Sequence, residues 1–369
     1  MKISDVKVVV WKWTGIPPVN YSLTIKGVAN SVDMALLTIY TDEGYQGHAF
    51  IGSALYGIGK DAQQIVDRYR PALVGRDPLD RERIWQSFSR TALGFAQMRL
   101  IGAIDIALWD LAGKFAGVPI HKLMGSFRKS VPAYASSAVL DSPEAYVEEA
   151  LKYKDLGWTA YKIHPPTIPT EDIRVCHAVR KAVGDDFRLM LDCVWSYKYA
   201  DAVRVGSVAE ELGFYWYEDP LHFDDIIGYM KLKQVLKIPI AATELPPTGP
   251  TAYAPWILQQ ATDYLRGDPV IKGGLTSCLK TAHTAETFNM NYEVHHGGNS
   301  LTNVANLHLI MAIRNCEYFE VLLPDEVQKH GLVIDIEVDR DGMVHAPQEP
   351  GLGMEIDFEM INRNRVVEL

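Results

Sequence analysis

Short apolar runs rich in β-branched and aromatic residues alternate with amphipathic stretches along most of this 369-residue chain. Residues 2–12 and 33–40 have a strand pattern, and Thr41-Asp42-Glu43-Gly44 turns the chain into a third run at residues 45–51, which predicts a small antiparallel sheet. Residues 14–31, between the first two strands, hold Pro17, Pro18, Asn20, Tyr21 and Lys26 without helical periodicity. The segment is long for a compact connection, as functional loops often are. Helical spacing follows at residues 61–73, 79–93 and 97–116. In the last of these Leu100, Ile104, Ala107, Leu108 and Leu111 share one face, and Gly117 and Pro119 end it.

From Val131 the pattern becomes a repeat of strand and helix. Strand runs are expected at residues 131–136, 160–163, 187–191, 214–217, 238–243, 264–267, 292–294 and 318–319. Helices are expected after the Ser142-Pro143 cap and at residues 170–183, 199–212, 224–235, 275–288 and 301–314. Eight strands alternating with helices predict an α/β chain, a (β/α)8-type barrel with an N-terminal α+β capping domain, and reactive groups gathered at the C-terminal ends of the strands. The expected division is a cap over 1–125, a barrel over 126–322 and a C-terminal segment over 323–369 that returns to the cap. No helix is defined after the eighth strand. Asp339-Arg340-Asp341-Gly342 there reads as a hairpin turn, and Pro350-Gly351-Leu352-Gly353 as an extended loop.

Three carboxylates, Asp192, Glu218 and Glu244, each close an apolar strand run. Their two spacings are equal at 26 residues, about one strand, one crossover helix and two short loops. Neighbouring strands would deliver all three to one point. Like charges so placed repel unless a cation lies between them, and oxygen-only ligation favours a hard ion such as Mg²⁺. Taken singly, each would equally suit a solvated loop position; the repeated spacing argues for the set.

Composition narrows the field of partners. The formal charge is −10 and the pI about 5.6, which disfavours nucleic acid, because phosphate neutralisation needs a basic surface. Cys176, Cys193, Cys278 and Cys316 are widely spaced and form no CxxC pair, so neither a disulfide framework nor a zinc cluster is expected. No leader-like apolar core opens the chain and no stretch approaches 18 uncharged apolar residues. The expectation is a cytoplasmic protein that takes a small molecule and engages no membrane.

Other strand ends supply reactive groups. Lys162 and His164 are two residues apart and so face one side of their strand. A lysine partly withdrawn from water beside a dication should have a lowered pKa, as proton abstraction near neutral pH requires; a plain strand-end lysine is the simpler alternative. Across the barrel, Asp268 and His295 end the sixth and seventh strands, so the carboxylate can hold the imidazole in one tautomer. His296 is the fallback should the register differ. Glu320 ends the eighth strand and could donate a hydrogen bond to substrate if its neighbours keep it protonated.

Together, Lys162-Ile163-His164, Asp192, Glu218, Glu244, the Asp268 and His295 pair, and Glu320 resemble the enolase superfamily in its mandelate racemase-like branch. Ala103-Ile104-Asp105-Ile106-Ala107-Leu108-Trp109-Asp110 and Trp216-Tyr217-Glu218-Asp219-Pro220 are similar to that branch as well, and the resemblance covers nearly the whole chain. It implies a Mg²⁺ enzyme that removes the proton α to a carboxylate through an enediolate. By the same resemblance Asp192, Glu218 and Glu244 are metal ligands, Lys162 and His295 acid/base groups on opposite faces, Asp268 the group orienting His295, and Glu320 a substrate-carboxylate contact. It also implies a homo-oligomer. The chain departs from the family at His164, where many relatives have a second lysine, and at Cys193-Val194, where a substrate-binding asparagine often follows the aspartate. Both changes leave the substrate open.

Two opposed bases permit two reactions. Dehydration of a sugar-derived hydroxy acid to a 2-keto-3-deoxy acid is the first expectation, with His295 helping a β-hydroxyl to leave. Racemisation or epimerisation of a carboxylic acid is the alternative. A non-catalytic scaffold is a third class, disfavoured by the retention of every acid, base and ligand. Substrate contacts are expected at His164 and Glu320 and, from the loop over the barrel mouth, at Tyr21 and Lys26. Lys272 reads as loop structure or a further substrate contact.

Overall fold

The computed structural model describes residues 1–23, 30–92, 95–245, 248–297 and 300–369, the side chains of residues 95 and 96 excepted. The expected cap sheet is present as β1 (Ile3–Thr14), β2 (Ser31–Thr41) and β3 (Gln46–Ile51). Gly44 takes the left-handed φ of +86° that the turn between β2 and β3 demands. A 22-residue helix, Phe95–Ala116, packs on β3. The approach is close because Gly47 has no side chain: a Cβ there would lie 2.0 Å from the carbonyl oxygen of Ala107.

The helix expected over 61–73 is interrupted. Asp61–Gln64 and Arg70–Leu73 are α-helical, and Ile65–Tyr69 between them is a π-helical turn. Pro71 has no N–H with which to continue the α-helical ladder, which accounts for the break.

The barrel follows as β4 (Ser130–Ser136), β5 (Ala160–Ile163), β6 (Arg188–Asp192), β7 (Trp216–Glu218), β8 (Ile240–Ala242), β9 (Tyr264–Gly267), β10 (Asn291–Val294) and β11 (Phe319–Leu322). Consecutive strands pair in parallel from β4 to β10, and β11 returns to pair with β4, so the seam lies between β10 and β11. These strands are apolar almost throughout because helices cover them outside and side chains fill the centre. Tyr134, Ala160, Met190, Trp216, Ala241 and Tyr318 form a buried inner cluster, the floor on which the site stands. The expected cap at Ser142 is present, its Oγ accepting from the Ala145 N–H at 3.3 Å, and Asp225 Oδ1 caps a second helix by accepting from the Gly228 N–H at 2.8 Å.

Beyond β11 only a 3₁₀ turn, Asp325–Gln328, stands where an eighth helix would follow. The turn at residues 339–342 forms but makes no separate hairpin. It leads into β12 (Met343–His345), which pairs antiparallel with β4. The last strand, β13 (Arg365–Glu368), then pairs antiparallel with β1 as the outer strand of the cap sheet. Among the described residues no helix is long and apolar enough to cross a membrane.

Candidate active site

Strand alternation carries the inner cluster up into the site. Ala160, Met190, Trp216 and Tyr318 each lie two residues before a charged group, namely Lys162, Asp192, Glu218 and Glu320, which therefore share their inward face. Glu244 reaches the same place differently. Ala241 faces inward, so strict alternation would bring residue 243 in. Thr243 instead takes a left-handed φ of +81°, and Glu244 turns toward the centre.

Oxygens of Asp192, Glu218 and Glu244 all lie within 4.8 Å of one another. Burial raises the Glu244 carboxyl; His295 opposes that, and Asp192 and Glu218 add to it by repulsion. The fully buried Asp219 is raised for the same reasons, burial first and then Glu244, Glu218 and Asp192. So much negative charge, offered by oxygens alone, fits one hard divalent cation.

The expected bases flank this triad. The Lys162 ammonium lies 3.0 Å from Asp192 Oδ2, 3.2 Å from Glu218 Oε2 and 2.7 Å from Glu320 Oε1. The lowered pKa expected of Lys162 is that of a lysine beside a dication, whose charge would offset these three carboxylates. Burial alone would lower it, but Glu218, Glu320 and Asp192 outweigh burial and hold it well above its ordinary value. His164, beside it, places Nε2 3.1 Å from Asp192 Oδ2 and Nδ1 2.7 Å from the Ser137 carbonyl.

Opposite, His295 Nδ1 lies 2.6 Å from Asp268 Oδ2 and Nε2 lies 3.2 Å from Glu244 Oε1. Burial opposes protonation of His295, yet Glu244 and Asp268 raise it to about 9. The Ile271 N–H, at 3.0 Å, fixes the other Asp268 oxygen. His296 is turned away from this pair: its ring lies edge-on to Phe319, and its backbone N–H donates to Glu320 Oε2 at 3.2 Å.

Glu320 departs from expectation. Burial would favour its protonated form, but Lys162 and Arg266 hold it well below the usual carboxylate range, so it is an acceptor and not a donor. Arg266 is absent from the sequence reading. It is fully buried, with Nε donating to Glu218 Oε1 at 2.6 Å and Nη2 to Glu320 Oε2 at 2.8 Å. The available signal was its place two residues before Asp268, on the same face of β9.

Lys162, His164, Asp192, Glu244, Asp268, His295 and Glu320 open onto one cavity of about 300 Å³. Its walls add Val194, Leu245, Ile271 and Leu322 from the barrel and Tyr21, Leu55, Tyr56 and Arg99 from the cap. The Tyr21 ring meets His164 edge-on at 5.5 Å and its hydroxyl accepts from Gln328 at 3.2 Å. Arg99 stands over the Tyr56 ring at 4.9 Å and pairs with Asp61. Leu55, Tyr56 and Arg99 were not anticipated, because nothing local in their sequence tells which cap residues face the barrel. Lys26 lies outside the described residues. Val194, in the Cys193-Val194 pair where the chain departs from the family, takes a left-handed φ of +44°, unusual for a β-branched residue.

Residues 145–360 match the enolase C-terminal domain-like family model, and residues 3–125 match the mandelate racemase / muconate lactonizing enzyme N-terminal domain. The chain belongs to the mandelate racemase-like branch of the enolase superfamily. Among solved structures this superfamily member is similar to a D-glucarate dehydratase from Agrobacterium tumefaciens complexed with magnesium, at 36% identity and TM-score 0.89 with 100% of both chains covered. It is 27% identical to the arabinonate dehydratase of Saccharolobus solfataricus, over 96% of each chain. It is 29% identical to the D-galactarolactone cycloisomerase of Agrobacterium fabrum, over 90% of this chain and 91% of that one. These relatives are lyases and isomerases, the two reaction classes expected from the opposed bases.

Proposed function

We propose that the protein is a Mg²⁺-dependent dehydratase of a sugar-derived hydroxy acid, forming a 2-keto-3-deoxy acid. One observation carries this reading: Lys162 and the His295–Asp268 pair flank the acidic triad from different strands and open, with Asp192 and Glu244, onto one cavity. Asp192, Glu218 and Glu244 would hold the ion, which when bound supplies the fixed positive charge that stabilises a carboxylate as its α-proton is lost.

The chain's own residues account for the proton traffic. One group takes the α-proton, the electron pair moves into an enediolate, and the β C–O bond breaks as a proton is delivered to the departing hydroxyl, which leaves as water. His295, held protonated and oriented by Asp268, suits the delivery. Lys162 would suit the abstraction in its neutral form, which a cation held by Asp192 and Glu218 would favour by offsetting the charges that retain its proton. Arg266 and Lys162 keep Glu320 ionised, so Glu320 accepts hydrogen bonds from substrate or orders Lys162. The enol product tautomerises to the keto acid. On the cap side, Tyr21 and Arg99 would meet the distal hydroxyls. Four free, buried cysteines suit a reducing compartment, and we place the enzyme in the cytoplasm.

The test is turnover of aldonic and aldaric acids with Mg²⁺, detected by semicarbazide. A 2-keto-3-deoxy product that is lost in Lys162→Ala and in His295→Asn is the expected result; silence across the library, with Mg²⁺ bound, would sink the dehydratase reading. A racemase or epimerase remains the second reading, because two proton-carrying groups flank one cavity. Deuterium from solvent at Cα of recovered substrate, without keto product, would select it.

A further inference from the structure

Lys272 is fully buried and is not among the residues that line the cavity. Its ammonium lies instead 2.7 Å from the carbonyl oxygen of Thr243 and 2.5 Å from that of Leu245. Those two carbonyls flank Glu244. The left-handed backbone at Thr243 that brings Glu244 inward is therefore followed by two carbonyls, one on the residue before Glu244 and one on the residue after it, both tied to one amine. Charged or neutral, an amine has at least the two N–H donors this requires.

The other end of Lys272 is held as firmly. Its backbone N–H donates to the Asp268 carbonyl at 3.0 Å, and the Gly274 N–H to that of Pro269 at 2.6 Å. Gly267 leaves room for the side chain to pass, since a Cβ there would lie 2.7 Å from Lys272 Cε. A closed ring of contacts results. Asp268 holds His295, His295 meets Glu244, the peptides around Glu244 hold Lys272, and Lys272 is anchored on Asp268.

We propose that Lys272 is a positioning residue that sets Glu244 for the cation and couples that ligand to the His295–Asp268 pair. The inference rests on reading the acidic triad as a divalent-cation site. Without Lys272 one buried and one part-buried carbonyl lose this donor, the left-handed segment relaxes, and Glu244 is no longer preset.

The experiment measures Mn²⁺ binding to the full chain by electron paramagnetic resonance and Mg²⁺ binding by calorimetry, for the parent, Lys272→Met, Lys272→Gln and the remote cap variant Gly47→Ala. Glutamine is one bond shorter and can serve one carbonyl. The expected order of affinity is parent, then K272Q, then K272M, with K272M at least tenfold weaker, about 1.4 kcal/mol. G47A should lose thermal stability and keep the parent affinity. Parent affinity in K272M, whatever its melting temperature, would overturn the proposal and leave Lys272 a purely structural residue. Should K272M not fold, parent affinity in K272Q overturns it equally. No binding by the parent would remove the cation site itself, and the proposal with it.

Discussion

Replacing Arg266 by methionine removes the only guanidinium at the centre of the barrel among the described residues and keeps much of its volume. Glu218 loses its 2.6 Å partner and Glu320 its 2.8 Å partner. Breaking a buried ion pair costs about 3–5 kcal/mol, mostly from the charge left behind. Here the low end applies, because Lys162 still reaches both carboxylates and Trp216 Nε1 still donates to Glu218 at 2.9 Å. At about 2.1 cal/mol/K per residue, the 369 residues melting as one unit have an unfolding entropy of ~0.8 kcal/mol/K. About 3 kcal/mol then lowers Tm by ~4 °C, and by roughly twice that if the barrel melts alone. The assay is thermal unfolding in EDTA, followed by circular dichroism. Adding Glu320→Gln to R266M should recover part of the loss, since it removes one stranded charge. A Tm within about 1 °C of the parent, with no recovery in the double variant, would refute the view that Arg266 is the barrel's central counter-charge.

Three further outcomes are expected. Adding Mg²⁺ to about 100 times its Kd should stabilise the protein by about 2.7 kcal/mol, and Glu218→Gln should abolish the rise in Tm; a rise unchanged in that variant would exclude the triad. Burial raises Asp105 to about 7 against the lowering effect of Thr276, whose N–H and hydroxyl both bond it. Between about pH 4 and pH 7 the fold therefore keeps a proton that the unfolded chain has released, so stability falls as pH rises through this window. Asp105→Asn should flatten that fall, and an unchanged Tm-against-pH slope would show Asp105 ionised throughout. Gly47→Ala forces a methyl onto the Ala107 carbonyl and should cost about 1–3 kcal/mol, read as a lower Tm; a neutral result would mean that helix and sheet separate freely.

The barrel was legible because parallel strands covered on both faces are apolar runs, and because crossover units of similar length spaced Asp192, Glu218 and Glu244 evenly. Lys162, His164, Asp268, His295 and Glu320 could be named from alternation and strand ends alone. What escaped depended on partners far along the chain. Arg266 sits inside a strand run, Leu265-Arg266-Gly267, where a charge looks like an exception until the acids around it are seen. The charges of Lys162 and Glu320 depend on such a partner as well: Lys162 touches Glu320 at 2.7 Å, and nothing local in the sequence shows that contact.

The pairing of β13 with β1, Val10 opposite Val367, bears on how the molecule is made. The barrel lies in the chain between strands of one sheet, so a ribosome releases all eight barrel strands before the strand that finishes the cap. The acidic triad can thus assemble under an incomplete roof, and the cap sheet gains its outer strand only after the barrel strands are out. Late truncations or extensions that disturb residues 365–368 should then act at a distance, loosening the cap over a barrel that is itself intact.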